Sequence, residues 1–241
     1  MSKSVILAAV LAIATAGGAW LYMGRSASDT MTPVASSATA QETTSTTPLA
    51  TAGTTTAAVT TSSDMALVPD MILGKADAPL TVVEYASFTC PHCANFHATV
   101  WDKFKTNYID SGKVKFVYRE VYFDKFGLWG AMVARCGGPE KYFGISDILY
   151  NTQKDWLASG EAVGISDALR KIGVSAGMTA DQVDACLKDN AKAQAMVTAY
   201  QTNATNDKVQ GTPTFLIAGE SHSGEMSYEK FAALLDAKLP K

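Results

Sequence analysis

The sequence predicts an α/β domain that is interrupted by a helical segment, and two patterns carry this prediction. The first pattern is a strand, a helix and a second strand in succession. Residues 80–86, LTVVEYA, are apolar and β-branched enough for a buried central strand. A helix is expected over 91–109, where apolar side chains recur every four residues, and the next strand over 114–118. This order predicts a parallel βαβ unit with a right-handed crossover.

The second pattern is a long helical stretch that lies between strands. Residues 126–206 have almost no strand signal, and glycines separate several helical windows there. Strand signals stand on both sides of this stretch, at 71–73 and at 214–217, so strands from both sides must meet in one sheet. A turn is expected at 219–224 and an amphipathic helix at 228–239. The inner face of that helix is expected to hold Phe231, Leu234 and Leu235.

Composition and charge exclude some classes of function. The chain has 241 residues, of which 47% are hydrophobic and 18% are charged, and these values are typical of a soluble globular protein. The formal net charge of -3 is small and evenly spread. It therefore gives no indication of binding to nucleic acid or to an anionic membrane surface.

The amino terminus has the pattern of an export signal. Within residues 1–25, Lys3 precedes an uncharged run that reaches Met23. The small-residue pattern at 14–16 is typical of a signal-peptidase site, which predicts a cleaved signal peptide. The length of the run approaches the roughly 20 residues that cross a bilayer as a helix. The length favours an uncleaved anchor, and both interpretations stay open.

A segment rich in Ser, Thr and Ala follows over residues 26–64. It has too few apolar side chains to build a core, so we expect a disordered linker. The linker either holds a folded domain clear of a membrane or is a spacer left behind a cleaved signal. Composition changes at Met65, and we expect the folded domain to occupy 65–241.

The strand-to-helix junction carries the motif that indicates chemistry, Cys90-Pro91-His92-Cys93. Two cysteines at this spacing can form an easily exchanged disulfide with one sulfur at the positive end of a helix. We expect Cys90 to hold the exposed sulfur and Cys93 to be more buried. Pro91 suits the first helical turn, where a missing N–H costs nothing. His92 is expected to stabilise the Cys90 thiolate, and the alternative is a merely exposed helix residue.

Two further features belong with this motif. Thr212-Pro213 stands at the entrance of the strand at 214–217, and a cis peptide bond there would leave the backbone of Thr212 free to pair with an extended substrate. Glu84 is an acidic residue inside an apolar strand, where a carboxyl must be neutral, paired or used. It could point towards Cys93 and exchange protons with that sulfur, or it could face solvent.

At these residues the chain resembles the DsbA family of bacterial periplasmic thiol oxidases, which have a thioredoxin fold with an inserted helical domain. The resemblance covers about residues 67–239. It rests on the order of Glu84, the C-P-H-C motif, the helical insertion and the Gly-Thr-Pro-Thr-Phe sequence at 211–215.

The resemblance implies a role for each residue of the site. Cys90 would be the reactive cysteine, His92 would tune it, and Glu84 would assist Cys93. The remaining two residues, Thr212 and Pro213, would contact the substrate. A Thr before the proline occurs in some DsbA-like oxidases and also in the DsbC and DsbG isomerases, so the balance between oxidase and isomerase activity is open.

The other two cysteines, Cys136 and Cys186, complete an even count, and an exported protein is expected to form disulfides. Two of the three possible pairings would tie up the C-x-x-C motif. We therefore expect a structural disulfide between Cys136 and Cys186, as in DsbA-like proteins of the alphaproteobacterial type. Two unpaired buried thiols are the alternative.

The resemblance also implies the location and the partners. We expect a monomer in the periplasm, soluble or tethered to the inner membrane, that oxidises newly exported proteins and is reoxidised by a DsbB-like membrane quinone reductase. No metal and no organic cofactor is expected. Isomerase or reductase activity is the first alternative. The second is metal binding through ligands drawn from Cys90, His92, Cys93 and His97, although His222 has no evident reason to lie near them.

Overall fold

The computed structural model describes residues 68–241, and the predictions for 1–25 and 26–64 lie outside these residues. One five-stranded sheet forms the centre of the fold, in the order β1-β3-β2-β4-β5. Its strands are β1 (Met71–Leu73), β2 (Leu80–Ala86), β3 (Val114–Glu120), β4 (Thr214–Ile217) and β5 (Glu220–Ser223). The pair β2 and β3 is parallel and the other pairs are antiparallel, so the predicted βαβ unit and the joining of strands from both sides of the insertion are confirmed.

Strand β3 extends two residues beyond its predicted end at residue 118. The sequence pattern does not include these two residues because they are charged. Arg119 forms ion pairs with Asp70 and Asp207, and Glu120 forms one with Arg135. These pairs allow charged side chains to continue a strand that the apolar pattern alone would end at residue 118.

The prediction of a turn over 219–224 is wrong. Residues Glu220–Ser223 form the edge strand β5, which pairs with β4. The turn consists of Ala218 and Gly219, whose φ values of 50° and 83° are both positive. The sequence ESHS is polar and exposed, so it lacks the apolar alternation that would reveal a strand, and pairing of its backbone with β4 supports it instead.

Helix α1 runs continuously over residues 91–109 and covers one face of the sheet. Its α-helical pieces, Pro91–Phe96 and Asp102–Phe104, alternate with the π-helical pieces His97–Trp101 and Lys105–Ile109. A side chain repeated every four residues drifts by about 40° per step around an α-helix. The wider π-turns offset this drift. As a result, Phe96, Val100, Phe104 and Tyr108 are all buried.

The insertion between β3 and β4 is helical, as predicted. It comprises α2 (Lys125–Cys136), α3 (Pro139–Asn151), α4 (Gln153–Trp156), α5 (Ala162–Ser175), α6 (Ala180–Leu187) and α7 (Asn190–Asn206). The hydroxyl of Thr179 and the side chain of Gln182 form the capping box that opens α6. Among residues 68–241, no helix is long and apolar enough to cross a membrane.

Helix α8 (Tyr228–Lys238) packs on the same face of the sheet as α1. Its side chains Phe231 and Leu235 are buried, whereas Leu234 is half-buried. The ring centroid of Phe231 lies 5.4 Å from that of Phe96 in α1 and 4.9 Å from that of Phe215 in β4. This aromatic cluster joins the carboxyl-terminal helix to the helix that carries the C-x-x-C motif.

A disulfide joins Cys136 at the end of α2 to Cys186 in α6, with the Cα atoms 6.0 Å apart. This is the pairing expected from the sequence. It closes a chain segment with a sequence separation of 50 residues. The disulfide lies inside the insertion and away from the C-x-x-C junction, which favours a structural role.

Loss of this disulfide should destabilise the fold. In the chain-entropy model, closing a loop of this length stabilises the folded state by roughly 4 kcal/mol. We expect the double substitution Cys136→Ala and Cys186→Ala to lower the free energy of unfolding by up to that amount in urea titrations. The matched control replaces Cys90 and Cys93 with Ala, which also removes two cysteines but keeps the Cys136–Cys186 disulfide. An unchanged urea midpoint in the first variant would contradict a stabilising role.

Candidate active site

The C-x-x-C motif lies where β2 passes into α1. Cys90 is the N-cap residue of the helix, with φ -80° and ψ 120°, and Pro91 occupies the first helical turn. The Cys90 amide donates to the Ser87 carbonyl at 3.0 Å, and the Ala94 amide donates to the Cys90 carbonyl at 3.1 Å. These bonds hold the Cys90 sulfur at the helix end where unpaired N–H groups favour a negative charge.

The Cys90 sulfur is more covered than the sequence suggests. Cys93 is fully buried, as expected, but Cys90 is only 8% exposed, so the expectation of an exposed Cys90 sulfur is wrong. The cause is the loop at Thr212, whose carbonyl oxygen lies 3.5 Å from the Cys90 sulfur and accepts a hydrogen bond from the thiol. The Thr212 loop therefore helps to cover the Cys90 sulfur.

The two thiols differ strongly in acidity. The pKa of Cys90 falls to about 5, chiefly because the Cys93 thiol donates a hydrogen bond to the Cys90 thiolate, and Thr212 and backbone N–H groups add to the effect. Burial raises the pKa of Cys93 far above its ordinary value. At neutral pH the reduced site therefore holds a Cys90 thiolate beside a protonated Cys93 thiol.

Glu84 in β2 is completely buried, so its side chain does not face solvent. Neither carboxyl oxygen has a hydrogen-bond partner among residues 68–241. Burial, with a smaller contribution from the negative charge on Cys90, raises the pKa of Glu84 to about 8. The negative form of Glu84 in turn raises the pKa of Cys93, so the two groups interact electrostatically. At neutral pH Glu84 is therefore a protonated acid, and it lies close enough to the buried Cys93 sulfur to influence the protonation of that sulfur.

His92 lies on the surface, with 67% of its side chain exposed. Its Nδ1 atom is 3.4 Å from a carboxylate oxygen of Glu225, which also accepts a hydrogen bond from Asn95 at 3.2 Å. The backbone of His92 provides one of the hydrogen bonds that favour the Cys90 thiolate. No sequence signal pointed to Glu225, because it follows the edge strand β5 in a polar loop.

The loop opposite Cys90 contains Thr212 and Pro213, and the peptide bond between them is cis. The Pro213 carbonyl accepts a hydrogen bond from the amide of Gly224 at 2.8 Å. The Thr212 hydroxyl is buried and has no partner within residues 68–241 while Cys90 is a thiol. It is therefore free to donate to the thiolate once Cys90 ionises, which agrees with its lowering of the Cys90 pKa.

Sequence reasoning missed Gln153, which holds the motif in place from the insertion. Its side-chain amide donates to the Phe88 carbonyl at 2.8 Å and to the Cys90 carbonyl at 3.0 Å, and the residue is buried. A buried Gln in a short helix 63 residues away along the chain from Cys90 gives no local pattern to recognise. The helical insertion is thus part of the support of the site.

The four residues considered as metal ligands do not converge. His92 faces solvent beside Glu225, whereas His97 is buried next to Glu84 on another side of α1. His222 belongs to β5 and pairs with Phe215. Within the described part of the chain, no group of three His, Cys, Asp or Glu side chains could hold a metal ion.

The fold and the junction together define a thioredoxin-fold protein with a helical insertion and two cysteines at the start of its first long helix. Residues 66–237 match the family model described as Thioredoxin, and the chain belongs to this family. Among solved structures, alpha-DsbA1 of Wolbachia pipientis is 28% identical and superimposes with a TM-score of 0.64, over 73% of this chain and 94% of that chain. The expected thioredoxin fold and the resemblance to DsbA proteins are confirmed.

Curated relatives carry names that agree with this assignment. A Rickettsia bellii protein, whose name assigns it to the protein-disulfide oxidoreductases, is 34% identical over 151 residues, which are 62% of this chain and 57% of that protein. Disulfide bond formation protein D of Bacillus subtilis is 25% identical over 179 residues, 70% of this chain and 76% of that protein. The chain thus spans less than two thirds of the Rickettsia relative.

The hydrogen bond from Cys93 can be tested directly. We expect Cys93→Ala to raise the pKa of Cys90 by about one to two pH units, since a hydrogen bond to a charged group contributes about 1.5–3 kcal/mol. Cys93→Ser keeps a donor at this position and should leave the Cys90 pKa close to 5. The ultraviolet absorbance of the thiolate, followed against pH, measures both. Equal pKa values in the two variants would show that the donor is not the cause.

Removal of the Gln153 amide should loosen the junction. Gln153→Leu keeps the approximate volume but leaves the Phe88 carbonyl buried without this donor, and we expect unfolding to cost about 1–3 kcal/mol less. Gln201→Leu, on the exposed surface of α7, is the matched control. If both variants unfold at the same urea concentration as the unmodified chain, Gln153 does not stabilise the junction.

Proposed function

We propose that this chain is a thiol:disulfide oxidoreductase that donates its Cys90–Cys93 disulfide to newly exported proteins. The observation that carries the proposal is the contrast between the two sulfurs, an acidic Cys90 at the helix start and a buried Cys93 of high pKa. A low pKa of the first cysteine stabilises the reduced form, and this makes the disulfide a stronger oxidant.

The reaction uses the groups of the site in order. A substrate thiolate attacks the Cys90 sulfur, the Cys90–Cys93 bond breaks, and its electron pair passes to the Cys93 sulfur. Cys93 has a raised pKa and takes a proton, which the protonated Glu84 carboxyl can supply. A second substrate thiolate then attacks the substrate sulfur of the mixed disulfide. The substrate leaves as a disulfide, and Cys90 leaves as a stabilised thiolate.

The loop of Thr212 and Pro213 supports substrate binding beside Cys90. Its position next to the sulfur suits an extended substrate backbone, and in the disulfide form the Thr212 carbonyl, 3.5 Å from the Cys90 sulfur, would be free to accept a hydrogen bond from the substrate. The same loop leaves isomerase or reductase activity as the second candidate, because a Thr before the proline is shared with isomerases.

The remaining parts of the proposal concern location and partners. The export signal in residues 1–25 supports a periplasmic location, soluble after cleavage or tethered to the inner membrane. Reoxidation would come from a DsbB-like membrane quinone reductase, with the protein acting as a monomer. The disulfide exchange balances in atoms and electrons without a metal or an organic cofactor.

The proposal is tested by equilibrating the Cys90–Cys93 pair with glutathione and by measuring two activities on the same preparation. These activities are oxidation of a reduced, unfolded protein and refolding of a scrambled one. We expect an oxidising pair, rapid oxidation and slower unscrambling. Cys90→Ser should abolish both activities, and Cys93→Ala should accumulate a mixed disulfide at Cys90.

The double substitution of Cys136 and Cys186 by Ala is the matched control, since it removes two cysteines outside the site and should retain exchange. A strongly reducing pair that is stable as the disulfide would contradict the oxidase. Rapid unscrambling with poor net oxidation would favour the isomerase instead.

A further inference from the structure

A second titratable side chain lies beside Glu84 in the interior. The Nε2 atom of His97 in α1 is 4.0 Å from the Oε2 atom of Glu84, and the two side chains are 5% and 0% exposed. Within residues 68–241, all four polar atoms of these side chains are buried and none has a hydrogen-bond partner. Unpartnered buried polar atoms cost about 1–3 kcal/mol each. The pair is therefore poorly explained as packing alone.

The surroundings of His97 hold its ring in one plane. The ring stacks on Tyr150 of α3, with centroids 3.9 Å apart and an interplanar angle of 21°, and it lies 5.0 Å from the ring of Trp101. The ring is thereby fixed with Nε2 directed at Glu84. A closing movement of about 1 Å would turn the separation of 4.0 Å into a hydrogen-bonded contact.

Five groups from four elements determine the charge at this place. Glu84 comes from β2, Cys93 and His97 from α1, Tyr118 from β3 and Tyr150 from α3. The hydroxyls of Tyr118 and Tyr150 are hydrogen-bonded to each other, and burial together with their neighbours raises both of their pKa values. The tyrosines thus stay neutral, and no lysine or arginine is among these neighbours. Of these five groups, Glu84 is the one whose pKa lies nearest to neutral pH.

We propose that His97 is a positioning residue for the proton of Glu84: its neutral imidazole accepts a hydrogen bond at Nε2 from the protonated carboxyl and so holds that proton beneath Cys93. The proposal rests on the proposed function for its consequence in exchange, but the contact itself does not depend on it. Burial lowers the pKa of His97 to about 3 and raises that of Glu84 to about 8, so a neutral ring faces a protonated carboxyl between these values.

This arrangement gives a reason for a histidine at this position. A protonated carboxyl that donates to an imidazole has a fixed direction for its O–H bond, whereas an isolated buried carboxyl has two equivalent oxygens and no preferred rotamer for its proton. When Cys93 is released as a thiolate, the proton leaves Glu84 and forms the Cys93 S–H bond. The remaining carboxylate then lies next to the His97 ring.

The direct test follows the three histidines of the unmodified, oxidised chain by nuclear magnetic resonance between pH 5 and pH 9. We expect the Nε2 resonance of His97 to behave as an unprotonated acceptor and to move as Glu84 loses its proton, at a pH above the ordinary carboxyl range because burial raises the pKa of Glu84. Glu84→Gln should abolish this movement and leave the resonances of His92 and His222 unchanged. A His97 resonance that is flat in the unmodified chain would overturn the proposal.

The functional test is a double-substitution cycle on the pH profile of substrate oxidation. His97→Phe keeps an aromatic ring against Tyr150 but removes both nitrogens. We expect this variant to lower the oxidation rate at pH 7 at least fivefold. His97→Gln restores an acceptor and should recover most of the rate. In the Glu84→Gln background, His97→Phe should change the rate less than about twofold, since coupled residues are not additive. Equal effects in both backgrounds would reject the proposal.

The two tests separate this proposal from the proposed function. The resonance measurement needs no redox activity, so it can succeed for a chain that fails to oxidise substrates. An active oxidase with an unresponsive His97 resonance would overturn only the positioning role.

Discussion

The unequal environments of two buried sulfurs, one helical turn apart, are the constraint on which the rest of the structure depends. Cys90 stands at the helix start, where hydrogen bonds favour its thiolate, and Cys93 lies where burial strongly favours its thiol. Water around either sulfur would weaken this contrast by screening the charge. The fold must therefore exclude water from both cysteines while it leaves one of them open to attack. The Thr212 carbonyl contacts the Cys90 sulfur, and the amide of Gln153 holds the Cys90 carbonyl.

The helical insertion contributes more than a cover to this constraint. It is fixed to β3 by a buried ion pair between Arg135 and Glu120, to which Tyr142 donates a further hydrogen bond at 2.7 Å. From that fixed base it brings Gln153 to the backbone of the motif and Tyr150 to the ring of His97. A sheet and helix α1 without these two residues would leave the start of α1 unsupported and the polar interior next to β2 open to solvent. Insertion and sheet therefore form one site.

The sequence predicts the fold well where the hydrophobic pattern is decisive. The apolar strand β2 and the four-residue repeat of α1 both depend on local patterns, and each appears where expected. The sequence does not predict the edge strand β5, because pairing with β4 holds its polar residues in place. This pairing is a long-range interaction that no local pattern reports. The burial of Cys90, the contact of His92 with Glu225 and the hydrogen bonds of Gln153 escaped for the same reason.

The position of Glu84 shows how local and long-range information combine at this site. A carboxyl in an apolar strand is visible in the sequence as an anomaly, and the anomaly has only three physical resolutions: neutrality, pairing or use. The structure adds that both carboxyl oxygens are buried and that an imidazole faces them at 4.0 Å. Neutrality then follows from the raised pKa, and the proposed hydrogen bond to His97 would give the proton a direction. A group that must stay neutral to remain buried, and that lies within the field of a sulfur released as a thiolate, is suited to deliver its proton at that moment. The free-energy cost of burying the Glu84 carboxyl is thereby linked to the protonation of the Cys93 sulfur.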